Sequence, residues 1–355
     1  MGEKMLPQSA IDDPTANAAA LARPAATPRI AGRIRAAFRK IQSAIGLLAL
    51  LVAAVILSPR ARDGSIIFLQ AGNLTDIVRQ VSEVGIIALG MTLVILTGGI
   101  DLSVGSVLAL AASVAAMVLV HPMTGISLPT HMALAMAIAL AAAGAIGLAN
   151  GLVISRLRIQ PFIGTLATMI GVRGLARWLT SNTNIDIGFG QDVSAAFANA
   201  LEQKGVVIGC FITLAAIFIV LLNRTVFGRY VRAVGDNEKA AVYAGIPLAR
   251  IKIWVYLLCG LLAGVAGLLH AAQCHQGNPN DGVAYELEAI AAVVIGGTSL
   301  AGGRGTITGT IIGTMIMGVL TNILRLKMVD SNMELMIKAA IIVLAVWAQS
   351  RKVTA

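Results

Sequence analysis

Charge is scarce along this chain, and the scarcity decides its class. Only 12% of its 355 residues are Asp, Glu, Lys or Arg, 57% are hydrophobic, and the mean hydropathy is +0.84. A soluble domain carries about 25% charged residues and needs them to cover its exterior, so a water-soluble fold is excluded. Aromatic residues make up 4% and do not interleave with bases, which argues against a nucleic-acid surface despite the net charge of +10. Anionic lipid headgroups are the expected counter-ion, at about 1 kcal/mol per well-placed Lys or Arg. Cysteine is nearly absent: Cys210, Cys259 and Cys274 have no metal-ligand spacing and imply no disulfide framework. The four scattered histidines, His121, His131, His270 and His275, read as loop or interfacial residues rather than metal ligands.

Catalytic signatures are missing as well. The sequence has no G-x-x-x-x-G-K-S/T phosphate loop, no H-E-x-x-H and no nucleophile elbow. An enzyme is not expected, and if transport is ATP-driven the ATPase belongs to another chain.

What the sequence has in quantity is apolar runs. A helix needs about 20 apolar residues to cross the hydrocarbon core. Ten stretches are candidates: 44–57 with its flanks, 78–97, 103–120, 132–155, 162–178, 206–222, 253–270, 287–300, 306–324 and 333–348, the eighth of them short. The expected architecture is an all-α polytopic membrane protein of about ten transmembrane helices, its transmembrane domain covering 41–350. Residues 1–40 are expected as a disordered, basic cytoplasmic tail, rich in Ala and Pro at first and then carrying Arg29, Arg33, Arg35, Arg39 and Lys40.

Lys and Arg excess marks cytoplasmic loops. With a cytoplasmic N-terminus, alternation puts Arg156, Arg158, the island 224–252, Arg304, Arg351 and Lys352 inside, and an even count returns the C-terminus to the cytoplasm. Arg60, Arg62, Arg325 and Lys327 fall outside on this count. The island is the longest charged run between spans. Within it Asp236-Asn237-Glu238 is a helix start and Gly245, followed by Pro247, a helix stop. Between them Ala240 and Ala241 offer a flat helix surface for another protein.

Two segments are related to each other. Gly98-Gly99-Ile100-Asp101-Leu102-Ser103-Val104-Gly105 matches Gly296-Gly297-Thr298-Ser299-Leu300-Ala301-Gly302-Gly303 at two glycines, a leucine and a final glycine, under an offset of 198 residues from Gly98 to Gly296. Paired glycine breaks in corresponding halves point to a duplicated transporter scaffold in two weakly related halves. Asp101 is the most informative acid, since a carboxylate there must face protein, water or a helix N-terminus; capping of a helix over 102–110 and direct solute contact are both open. Gln80, Glu83, Asn150, Thr165 and Thr168 are polar groups in apolar spans, fit for solute contact or for hydrogen bonds between helices. The pairs Gly147/Gly151, Gly260/Gly264 and Gly309/Gly313 permit close helix approach. Glu286 and Glu288 mark the external start of the eighth span.

The runs GDNEKAAVYAGI (235–246), ALGMTLVILTGGIDLSVGS (88–106) and AIAAVVIGGTSLAGGRGT (289–306) resemble the permease subunits of bacterial ABC importers, in the branch that carries sugars of the ribose, galactose and xylose type. The resemblance covers the chain from about residue 73 to its end. It implies an inner-membrane protein that pairs with a second permease subunit, identical or not, with ABC ATPase subunits that hold ATP and Mg²⁺, and with a periplasmic solute-binding protein. No cofactor or metal is expected on this chain. The resemblance assigns Gly235, Asp236, Asn237, Ala240, Ala241 and Gly245 to coupling with the ATPase. It places Gly99, Asp101, Leu102, Ser103, Gly105, Gly296 and Gly297 along the translocation path. An amino-acid permease of the same class, an ion-coupled secondary transporter and a non-transporting membrane scaffold are the alternatives.

Overall fold

A computed structural model describes residues 30–350 apart from 122, 124 and 191. Residues 1–29 of the expected tail, and Arg351 and Lys352, lie outside the described residues; the remainder of that tail is the start of a helix, α1 (Ile30–Leu57). The chain divides into two units, 1–41 and 42–355, and the second carries everything below.

Among the described residues eleven more α-helices precede the last: α2 (Ala71–Leu96), α3 (Val104–Val120), α4 (Leu128–Arg156), α5 (Pro161–Leu179), α6 (Val193–Leu201), α7 (Lys204–Arg224), α8 (Val226–Asp236), α9 (Glu238–Tyr243), α10 (Leu248–Cys274), α11 (Tyr285–Ile295) and α12 (Ile307–Leu326). The last is α13 (Ser331–Ser350). Two strands of two residues, β1 (Ile185–Asp186) and β2 (Gln276–Gly277), pair antiparallel. A helical bundle is what lipid demands, because each helix satisfies its own backbone. Among the described residues α2, α4, α7, α10 and α12 are long and apolar enough to cross a membrane, and 43–57 of α1 and all of α3 are shorter apolar helices.

The eighth expected span needs correction. The apolar run 287–300 is not one helix: α11 has 11 residues, about 16 Å at 1.5 Å per residue, or roughly half of the ~30 Å core. Before it the chain runs unwound through the bundle. Gly277 packs beside Ala112, Ser113 and Ala116 of α3, whereas Gly282 packs on Gly105, about 10–15 Å further along α3. Glu286 and Glu288 stand in the first turn of α11, the helix start expected for them, and the Glu286 carboxylate lies next to Gly105 of α3.

Helix α2 is the central post, buried at every residue from Gly85 to Leu96. Polar pairs zip it to α12: Thr92 Oγ1 is 2.7 Å from Thr310 Oγ1, and the Asn73 and Asn322 side-chain amides bond each other at 2.8 and 3.2 Å. Helices α4 and α10 cross through their glycines. A Cβ on Gly260 would lie 2.7 Å from the Ala143 carbonyl and 2.9 Å from Gly147 Cα, and one on Gly151 would lie 2.7 Å from Ile253 Cα. Both patterns read from the sequence as small-residue contacts therefore close within this chain. Gly260→Leu should push the pair apart and destabilise the bundle by about 1–3 kcal/mol, read as a lower midpoint in thermal unfolding of the detergent-solubilised protein. An unchanged midpoint would mean that this crossing is loose.

The repeat read from the sequence survives with a shifted register. Helix α2 ends with Gly98 N–H bonding the Ile95 carbonyl and Gly99 N–H bonding the Val94 carbonyl; α11 ends with Gly297 N–H on Val294 and Thr298 N–H on Val293. These are two copies of one Schellman turn, with the left-handed position taken by Gly98 (φ +76°) in one and Gly297 (φ +91°) in the other. Gly98 thus corresponds to Gly297, one residue beyond the match made on sequence identities. The connections that follow differ: six residues, 98–103, precede α3, and ten, 297–306, precede α12.

Candidate coupling site and translocation path

The local signals of the island fold as the residues dictate. Asn237 caps α9 by accepting from the Ala240 N–H at 3.0 Å, and the chain leaves the helix at Gly245 with φ +77°. Lys252 Nζ ties α10 back to Glu238 at 2.7 Å. Of the two alanines expected to form a flat approach surface, only Ala240 is exposed. Ala241 is 3% exposed and belongs to the core. The outer face is instead apolar and aromatic: Val242 and Tyr243 project from it, Tyr243 at 91% exposure. Sequence reasoning passed over both; the signal was available in a β-branched residue and an aromatic lodged in a charged run.

At its other end the island is set directly on both glycine breaks. A side chain on Gly235 would collide with the Leu96 carbonyl at the end of α2 and lie 2.5 Å from the Gly303 nitrogen. Gly303 N–H itself donates to the Leu96 carbonyl at 2.9 Å. Gly302 faces Gly235 and the Gly98 nitrogen at about 3 Å, and a Cβ on Gly303 would run into Asp236. Gly235 and Asp236, assigned to coupling, thus meet the end of α2 next to the assigned Gly99 and the connection that follows the assigned Gly297, with backbone against backbone at Gly235.

Asp101 belongs to a buried polar chain. It is 1% exposed, and its Oδ1 accepts from the Ser103 N–H at 2.9 Å and the Ser103 hydroxyl at 2.6 Å. It is therefore the head of an Asx turn ahead of α3 rather than the cap of a helix over 102–110, because α3 starts at Val104 after Ser103. Asn150 Nδ2 donates to Ser103 Oγ at 2.9 Å, and Thr168 Oγ1 donates to Asn150 Oδ1 at 2.7 Å. Thr165 Oγ1 bonds the Ile100 carbonyl at 3.1 Å. Asp101, Asn150 and Thr168 are thus joined through Ser103 in one chain of hydrogen bonds, and Thr165 holds the neighbouring Ile100; together they fix the first break against α4 and α5. Gly99 packs on the Tyr256 hydroxyl end, Leu102 is buried, Gly296 packs on Gly309, and Gly297 forms the second turn.

A second cluster lies where α2 and α10 meet the unwound segment. His270 Nδ1 is 2.8 Å from Glu83 Oε2, and His270 Nε2 is 3.1 Å from Asp281 Oδ2. Protonated at both nitrogens, the ring donates from Nδ1 to Glu83 and carries the charge that Asp281 faces. Gln273 bonds Glu83 and receives Arg79 at 2.8 Å. Arg173 reaches from α5 to hold the Pro279 and Asp281 carbonyls, and Arg177 bonds Asn280 at 2.9 Å. His270 is accordingly a core residue between two acids and not an interfacial one. Among the described residues no group of three His, Cys, Asp or Glu side chains is placed to hold a metal ion.

The comparisons agree with this architecture. The ribose import permease protein RbsC of Escherichia coli K12 is 41% identical over 315 residues, covering 88% of this chain and 94% of its own. RbsC of Bacillus subtilis strain 168 is 40% identical over 316 residues, covering 88% and 94%. The L-arabinose ABC transporter permease protein AraH of Azospirillum brasilense is 37% identical over 288 residues, covering 79% and 80%. No solved structure matches the chain. Residues 73–346, from the start of the central post to within the last helix, match the branched-chain amino acid transport system / permease component family, and the chain is a member of it, a multi-pass permease subunit of an ABC importer.

Proposed function

We propose that this chain conducts a monosaccharide across the bacterial inner membrane and takes its motion from ATP hydrolysed elsewhere. ATP and Mg²⁺ belong to a partner ATPase, a soluble periplasmic protein delivers the sugar, and a second permease subunit completes the path. The observation that carries the reading is the junction of Gly235 with Leu96 and Gly303: a push on α9 arrives, through Gly235, at the end of α2 and at the connection between α11 and α12 together. The relatives named for ribose and L-arabinose support a pentose or similar sugar over a branched-chain amino acid. Basic residues of the island, Arg229 and Arg250 among them, face the cytoplasmic leaflet and its anionic lipids, with both termini on that side.

The test is uptake of D-ribose and L-arabinose into proteoliposomes holding the chain with its ATPase and binding protein. Accumulation that needs internal ATP and survives a proton uncoupler is expected; uptake that continues without ATP and collapses with the uncoupler would leave an ion-coupled carrier. Tyr243 supplies a sharper probe. An exposed aromatic on a docking helix is the residue type that dominates interfaces, at 2 kcal/mol or more. Tyr243→Ala should weaken ATPase capture by the purified permease about 30-fold, and capture at wild-type affinity would remove α9 from the docking surface.

A further inference from the structure

A cavity of about 140 Å³ opens between α2, α11, α12 and α13, on the side of the bundle away from the coupling junction. We propose that it is a binding site for one neutral monosaccharide; this rests on the sugar reading above and names where the solute pauses. The wall holds Gln80, Tyr285, Glu288, Thr314, Thr321 and Lys338. That set joins an amide, two hydroxyls, a carboxylate and an ammonium group to one aromatic ring. A furanose or pyranose needs the same combination: hydrogen-bond partners around its hydroxyls and an apolar plane against its C–H face. At about 30 Å³ per water the volume holds roughly five waters, which is the scale of one ring and not of a disaccharide.

The charges of the wall favour a neutral solute. Lys338 Nζ lies 2.9 Å from Glu288 Oε1 and 2.9 Å from Glu334 Oε1, and Arg325 Nε lies 3.6 Å from Glu334 Oε2. The wall's own charges, Glu288, Arg325 and Lys338, are each already engaged, the two bases with Glu334 from outside the lining. A zwitterionic amino acid would have to break those pairs to find a free carboxylate and a free cation. A hydroxyl bridges such a pair without breaking it, accepting from the ammonium and donating to the carboxylate. Tyr285 also connects the cavity to the buried cluster, since its ring meets His270 edge-on at 6.0 Å and 82°. It stands at the start of α11, the short helix whose far end forms the second glycine turn. Occupation of the cavity therefore acts on the helix whose far end leads, through the connection 297–306, to the coupling junction.

Two measurements on the complete importer test this. Thr314→Cys places a thiol in the wall, and its reaction with a small methanethiosulfonate reagent, above the background of the native cysteines, should slow several-fold in D-ribose and be unaffected by L-leucine. Gln80→Leu and Thr321→Val each remove one hydrogen-bonding group at nearly constant size, so each should change the ratio of D-ribose to L-arabinose uptake about fivefold, the worth of a lost hydrogen bond. Sugar uptake by the unaltered importer, with no protection of the thiol and the same sugar ratio in both variants, overturns the cavity site and leaves the proposed function standing. Protection by L-leucine in place of D-ribose overturns the monosaccharide assignment. An unaltered importer that carries no sugar at all overturns the function, and with it the inference.

Discussion

Gly235→Val is expected to abolish sugar uptake by the assembled importer while leaving the protein in the membrane. At this position an added side chain meets backbone on both sides, the Leu96 carbonyl and the Gly303 nitrogen. Neither can swing aside as the end of a flexible side chain would. Something larger must give, and the nearest deformable element is the whole α8–α9 segment, lifted from the two glycine turns. Overpacking of this kind costs about 1–3 kcal/mol, which as a shift of coupling corresponds to roughly 5- to 150-fold. Gly209→Ala is the matched control, because a Cβ there meets nothing within 4 Å and the substitution favours the helix by about 1 kcal/mol. The measurement is ATP hydrolysed per sugar delivered in proteoliposomes: the valine variant should hydrolyse without delivery, and the alanine control should not differ from the parent. Equal stoichiometry in both would deny the junction any part in coupling.

The second large effect is on stability. Glu83→Leu, or His270→Leu, removes one partner from a cluster in which both ring nitrogens of the histidine face carboxylates. The loss is not that of one hydrogen bond, because the remaining charge stays buried without its partner. Breaking a buried pair this way costs about 3–5 kcal/mol. Glu83→Gln combined with His270→Gln should recover part of it, since two neutral amides can bond each other where a lone charge cannot. A double-mutant cycle of Glu83→Gln, His270→Gln and the two together, read on the unfolding midpoint in detergent, separates these terms. If each single variant unfolds within about 1 kcal/mol of the parent, the cluster is hydrated and its charges are not held by one another.

How much of this was legible in the sequence follows from how local each signal is. Helix α9 was legible to within a residue at each end, because the Asn237 cap and the Gly245 stop act within one turn of the chain. The glycine breaks were legible as a repeat but in the wrong register. Identity counting paired Gly98 with Gly296, whereas the position that matters is set by which amide reaches which carbonyl, and that selects Gly297. Asp101, Asn150, Thr165 and Thr168 each stood out as polar residues in apolar runs, yet nothing in a single sequence says that three spans bring them together. The cluster of Glu83, His270 and Asp281 was illegible for the same reason, its first two members being 187 residues apart. The run 287–300 was legible as short, but only the tertiary position of Gly277 and Gly282 reveals that the chain has descended before α11 begins.

The guanidinium of Arg173 clasps two carbonyls of the unwound run, at Pro279 and Asp281, while Arg177 takes the Asn280 side chain between them. Three consecutive residues are thereby pegged to fixed points on a neighbouring rod, which turns this connector into a ruler. Its length is fixed with it, because one extra residue would pull every later peg out of its hole.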